Sequence, residues 1–145
     1  MNHAVELLSN LVAIPSLSGR EEHACAFLAD ALPANGWERV EIDGAGSVVA
    51  SRGSGSCELI LMGHIDTVPG GPAYALDGDI LRGRGSVDAK GPLCSFAVAG
   101  GRAPIQKHLR SVGLRRAQLG IASHERRGLS QPLVAPQARS RPACP

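Results

Sequence analysis

The chain has 145 residues, enough for one domain with a buried core, and its 43% hydrophobic but only 3% aromatic content makes that core aliphatic. Its four cysteines, Cys25, Cys57, Cys94 and Cys144, include no CxxC pair. This excludes a zinc ribbon or a thioredoxin-like motif and leads us to expect unpaired thiols in a cytoplasmic protein. The net charge of +2 averages two unlike parts: residues 1–100 carry six basic and twelve acidic side chains, whereas residues 101–145 carry nine basic ones and a single acid, Glu125.

From the N-terminus, no Lys or Arg precedes Arg20 and no long apolar run occurs, so neither a signal peptide nor a membrane span is expected. Residues 2–13 show helical spacing of Val5, Leu8, Leu11 and Val12, and Pro15 ends the helix by restricting the residue before it. Ser18-Gly19-Arg20-Glu21 reads as a capping box. It opens a second helix running to about Leu32, with Ala24, Phe27, Leu28 and Ala31 on its apolar face. Pro33 and Asn35-Gly36 close it. The period then changes. Residues 37–43 alternate as a strand, residues 44–46 form a turn, and residues 47–52 form the returning strand. After a Gly/Ser turn, the short apolar run at residues 58–62 reads as a buried central strand. Two helices, a hairpin and that strand argue an α/β layer fold.

The central strand runs into Gly63-His64-Ile65-Asp66, and ligands bind at the carboxyl ends of strands in open α/β sheets. Alternation puts His64 and Asp66 on one side and turns Ile65 to the other. A turn and short strand at residues 77–81 lead through Arg82-Gly83-Arg84-Gly85 to Asp88. Residues 92–100 read as the first turns of a buried helix, with Pro92 in an early position that it tolerates. An imidazole and carboxylates are zinc-ligand types, and a nearby carboxylate can orient the ring. By spacing alone the HxD pair also fits a structural role, and the glycine-flanked Asp88 also fits a plain turn residue. Lys90 fits either a solvated cation or a part of the turn that supports Asp88.

GHIDTVPGG at residues 63–71, followed by LRGRGSVDAKGPL at residues 81–93, resembles the zinc aminoacylase and carboxypeptidase family. That family includes acetylornithine deacetylases, succinyl-diaminopimelate desuccinylases and glutamate carboxypeptidases. The LVAIPSLSG phrase at residues 11–19 fits the same family. The combination most resembles the branch that releases lysine or ornithine from an amino-group carrier protein. The resemblance covers residues 1 to about 100. It implies the N-terminal portion of a zinc-peptidase α/β catalytic domain, with His64 and Asp88 as metal ligands and Asp88 bridging two zinc ions. Cobalt is a possible substitute. Asp66 is the catalytic-site residue that holds and tunes the His64 ring. The Asp88–Ala89 peptide bond is expected to be cis. The implied reaction is water attack on the amide of an acyl or carrier-linked amino acid, with the metals acting as Lewis acid and template. It would serve lysine or arginine biosynthesis.

Past residue 100 the chain departs from that pattern. The family carries a Glu-Glu pair, a further acidic ligand, a late His and an inserted dimerisation domain. Here the corresponding region reads GIASHERRGL, and His124 and Glu125 beside two arginines make poor replacements. Residues 101–145 contain eight Arg, five Pro and no aromatic residue, a composition expected to be disordered. A basic nucleic-acid arm is the alternative, although it lacks aromatics for base stacking. The expectation is therefore an incomplete hydrolase domain over residues 1–100 and a basic tail over residues 101–145 that has left the family's reading frame. Such a chain is expected to be inactive, and to expose sheet edges and apolar surface.

Overall fold

The computed structural model describes residues 3–55, 57–104 and 109–113, the side chains of residues 57, 58 and 109–113 aside. Helix α1 (His3–Ala13) and helix α2 (Glu22–Ala31) are followed by a 3-10 turn at Pro33–Asn35. Strands β1 (Arg39–Ile42), β2 (Val48–Gly53) and β3 (Cys57–Leu61) come next, and then a small hairpin of β4 (Ala75–Asp77) and β5 (Ile80–Arg82). Helix α3 (Lys90–Arg102) and strand β6 (Leu109–Gly113) complete the described residues.

The main sheet has the order β1-β2-β6-β3. β1 and β2 form the expected antiparallel hairpin, with Ile42 opposite Val48. Asp43 organises its turn, because its Oδ1 accepts the backbone N–H groups of Ala45 and Ser47 at 2.9 and 2.8 Å. β6 lies antiparallel to β2 and parallel to β3. The path from β3 through α3 to β6 is thus a crossover between parallel strands, a connection that needs a long intervening segment.

One aliphatic core joins the helices to the sheet. Leu7 and Leu11 of α1, Ala24, Cys25 and Leu28 of α2, and Leu93, Cys94 and Ala97 of α3 meet Val48 and Ala50 of β2. Trp37 is the one aromatic fully within it, and its Nε1–H donates to the Ala97 carbonyl at 2.8 Å. At the end of α3 the packing is backbone to backbone. A Cβ on Gly101 would fall on the carbonyl of Asn35, and one on Gly100 would sit 2.7 Å from the Trp37 ring.

Four expectations need correction. Among the described residues β3 is an edge strand rather than a central one, and Leu59 and Ile60 are 50% and 56% exposed. Only β6 pairs with it among the described residues. Val5 is exposed, and the buried stripe of α1 is Leu7, Leu11 and Val12. The capping box does not form, because Ser18 makes a different bond and α2 starts without a side-chain cap. Helix α3 continues to Arg102, and β6 falls inside the segment read as a disordered tail. The remainder of that tail, with His124 and Glu125, lies outside the described residues. No described helix is long and apolar enough to cross a membrane.

Candidate metal centre

The site is built on the loop that leaves β3. Ile65 turns into the core at 3% exposure, and this throws His64 and Asp66 together on the other side, as alternation requires. The loop is pinned by the segment after α1. Ser16, fully buried, donates its Oγ–H to the Ile65 carbonyl at 2.7 Å, and its own carbonyl accepts the Thr67 N–H at 2.8 Å. Leu17 and Thr67 form a parallel bridge beside these bonds.

Asp66 uses both carboxylate oxygens. Oδ1 lies 3.0 Å from His64 Nδ1, and Oδ2 accepts the Ser18 hydroxyl at 2.7 Å. A carboxylate has acceptors only, so the first contact requires the ring proton on Nδ1. Nε2 is then the ring nitrogen left to face other groups. That nitrogen faces a second carboxylate, with Asp88 Oδ1 3.5 Å away. Two atoms bound about 2.0–2.1 Å from a tetrahedral zinc ion lie about 3.3–3.4 Å apart. The observed separation fits a shared cation. Among the described residues no group of three or more His, Cys, Asp or Glu side chains gathers to hold a metal. His64 and Asp88 are the two donor groups that these residues bring face to face.

Asp88 sits in a glycine turn between β5 and α3, and its peptide bond to Ala89 is cis, as expected. Its carboxylate is largely exposed and makes no hydrogen bond among the described residues. Gly83 and Gly85 let this turn come close: a Cβ on Gly83 would strike Val12, and one on Gly85 would sit 3.0 Å from Thr67 Cγ2. Lys90 settles its two readings in favour of structure. It is 1% exposed, and its ammonium donates to the carbonyls of Leu11 and Ile14 at 3.0 and 2.6 Å. Burial pushes its pKa down to about 8, with nearby Cys94 opposing. The same burial pushes the Cys94 thiol up to about 12.

His64, Asp66, Thr67, Arg84, Val87 and Asp88 line an open cavity of about 350 Å³. This volume is at the small end for a small-molecule site. Arg84 on its wall donates its Nε–H to the Gly70 carbonyl at 2.7 Å, which holds the loop after Thr67 against the turn before Asp88. The roles of Ser16, Ser18 and Arg84 were not read from the sequence. The two serines act across 48 to 51 positions, and no local pattern marks a hydroxyl for such a bond.

Comparison with known proteins gives the site a context. The chain is 48% identical over 97 residues to a LysW-lysine hydrolase of Deinococcus radiodurans, a match covering 66% of this chain and 26% of that protein. It is 34% identical over 110 residues to a succinyl-diaminopimelate desuccinylase of Xanthomonas oryzae, covering 68% of this chain and 29% of the relative. The chain thus spans about a quarter of the length of the curated relatives it matches. Its fold matches the aminoacylhistidine dipeptidase of Vibrio alginolyticus with a TM-score of 0.56 at 20% identity, over 77% of this chain and 26% of that one. It also matches human carnosine dipeptidase 1, with a TM-score of 0.55 at 21% identity, over 77% of this chain and 31% of that one. No family model matches the chain.

Proposed function

Because its N-terminal two thirds belong to the aminoacylase and carboxypeptidase family, we propose that this chain carries one half of the catalytic centre of an amide hydrolase. The substrate class is an acyl or carrier-linked amino acid, with lysine or ornithine released and an amino-group carrier protein as the partner. The names of relatives called LysW-lysine and LysW-lysine/LysW-ornithine hydrolases support the carrier-linked choice, and that of the desuccinylase supports the acyl one. The observation that carries the reading is Nε2 of His64 facing Asp88 at 3.5 Å while Asp66 meets Nδ1 at 3.0 Å.

His64 and Asp88 would hold a divalent cation, zinc by the type of donor, and it would supply Lewis acidity toward an amide carbonyl. The chain's own groups do the remaining work. Asp66 keeps the proton on Nδ1 and so keeps Nε2 free to bind. Ser18 holds Asp66 in the rotamer that does this. Arg84 and Gly70 keep the loop walls of the cavity together.

We assign no general base among the described residues, and the chain by itself is not expected to turn over substrate. The test is zinc content by mass spectrometry together with hydrolysis of acetylornithine. Weak zinc binding that His64→Ala and Asp88→Ala abolish, without turnover, supports the proposal. Tight stoichiometric zinc with measurable turnover would overturn the inactivity, and no zinc affinity at all would overturn the half-site.

A second reading follows from the charge of residues 101–145, where nine basic side chains face one acid. In it the tail binds nucleic acid or another acidic partner. Salt-sensitive binding to duplex DNA or RNA, lost on deleting residues 101–145, favours this reading. Binding that persists after the deletion removes it.

A further inference from the structure

We infer that Lys90 is the positioning residue of the His64–Asp88 pair, because its buried ammonium anchors the Asp88 turn to the end of helix α1. The argument begins with what Asp88 lacks. Its carboxylate meets only His64 and is held by no hydrogen bond among the described residues. Its direction is therefore set by its backbone, and the backbone turn must be fixed by something else.

Lys90 is placed to fix it. Its backbone N–H donates to the Gly85 carbonyl at 2.9 Å and closes the turn around Asp88. Its stem packs on Gly85, where a Cβ would lie 3.0 Å from Lys90 Cδ. On its other side Gly91 leaves no room, since a Cβ there would lie 2.5 Å from the Ser86 carbonyl oxygen. The ammonium then crosses to the last turn of α1. A helix end offers carbonyls without intrahelical partners and a partial negative charge. The last turn of α1 contains no basic residue of its own. Lys90 supplies that cation from 76 and 79 positions away, to Ile14 and Leu11. A buried ammonium without acceptors is costly, so this geometry permits little movement. The turn that carries Asp88 is locked to the helix that leads into Ser16 and Ser18, which hold the His64 loop. Both halves of the pair are thereby referred to one helix end.

Lys90→Met keeps the length of the side chain and removes its donors. Leu28→Ala is the control, since it weakens the core in α2 without touching this network. The first measurement is amide hydrogen exchange of the metal-free 145-residue protein. We expect Lys90→Met to expose the Ser86 and Lys90 amides selectively, while the Leu32 amide keeps its protection relative to global stability. Leu28→Ala is expected to lower protection throughout. The second measurement is zinc affinity by chelator competition. Lys90→Met is expected to weaken it 10- to 100-fold, the usual range for supporting residues around a metal, and Leu28→Ala to leave it within about twofold.

The affinity measurement rests on the cation-binding reading above, whereas the exchange measurement does not. Wild-type protein without zinc affinity would refute that reading and leave the exchange result to decide on Lys90. Uniform loss of protection in Lys90→Met, matching Leu28→Ala, would show that Lys90 only fills the core and would overturn the inference. If Lys90→Met does not fold, Lys90→Gln, which keeps an N–H donor on a shorter stem, is read in the same assays. Selective exposure supports the inference, and uniform exposure overturns it.

Discussion

Replacing Asp66 by Asn keeps the shape of the side chain and removes its charge, which isolates what the carboxylate contributes. In the structure Asp66 accepts from Ser18 at 2.7 Å and lies 3.0 Å from His64 Nδ1. Hydrogen bonds to a charged partner contribute about 1.5–3 kcal/mol and neutral ones about 0.5–1.5 kcal/mol, so each contact loses about 1 kcal/mol. The Asp66 and His64 side chains are 26% and 36% exposed, and solvent weakens both contributions. A total of about 1–2 kcal/mol remains, roughly a 5- to 30-fold loss of zinc affinity. The amide can also turn its NH2 toward the ring, which would favour the proton on Nε2 and block the ligand position. Nitrogen-15 shifts of the His64 ring read the tautomer without metal, and chelator competition reads the affinity. We expect wild type to hold Nδ1–H and Asp66→Asn to give a mixture of tautomers. An unchanged tautomer together with an affinity within twofold of wild type would refute the claim that Asp66 directs the ring.

Further predictions concern the surroundings of the site. Ser18→Ala should weaken zinc binding by about fivefold, matching the loss of one hydrogen bond of about 1 kcal/mol, and titration calorimetry would show it. Gly101→Ala should destabilise the fold by about 3 kcal/mol, because the new Cβ meets the Asn35 backbone. Gly19→Ala should cost only about 1 kcal/mol for its positive φ, since nothing lies within 4 Å. Equal denaturant midpoints for the two variants would contradict the packing argument. Burial holds the Cys94 thiol protonated up to about 12, against an ordinary 9.0, with Lys90 opposing. The folded state therefore retains a proton that the unfolded state releases above pH 9.0. This contribution to stability is complete below that pH and is lost as pH rises toward 12. Wild type should lose stability in this window more steeply than Cys94→Ala, as followed by denaturant titration.

The local elements were legible because their signals are local. The spacing in residues 2–13, the glycine turn at residues 44–46 and the alternation around Ile65 all rest on neighbouring residues, and α1, the β1–β2 hairpin and the His64–Asp66 contact follow. The errors share the opposite cause. Whether residues 58–62 are central or at an edge depends on which strands lie beside them, and β6 arrives some fifty positions later. Ser18 looked like a cap because Glu21 stands three positions after it. Its hydroxyl instead went to Asp66, while Glu21 accepted the Gly19 N–H at 2.8 Å. For Lys90 the sequence favoured a part in the turn that supports Asp88, but its acceptors, 76 and 79 positions away, could not be read there. The reading of His64 and Asp88 as ligands rests on whole motifs, since one His and one Asp carry little information by spacing alone.

The bonds from Ser16 and Ser18 to residues 65–67 have a kinetic consequence. Each closes a loop of about fifty residues, from 16 to 65 or from 18 to 66. Bringing such ends together costs about 3.5 kcal/mol of chain entropy before any contact repays it. Helix α1 and the β1–β2 hairpin need no such closure. The imidazole should therefore acquire its orientation late, after most secondary structure has formed. Substitutions at Ser16 should then mainly speed unfolding and leave the folding rate nearly unchanged.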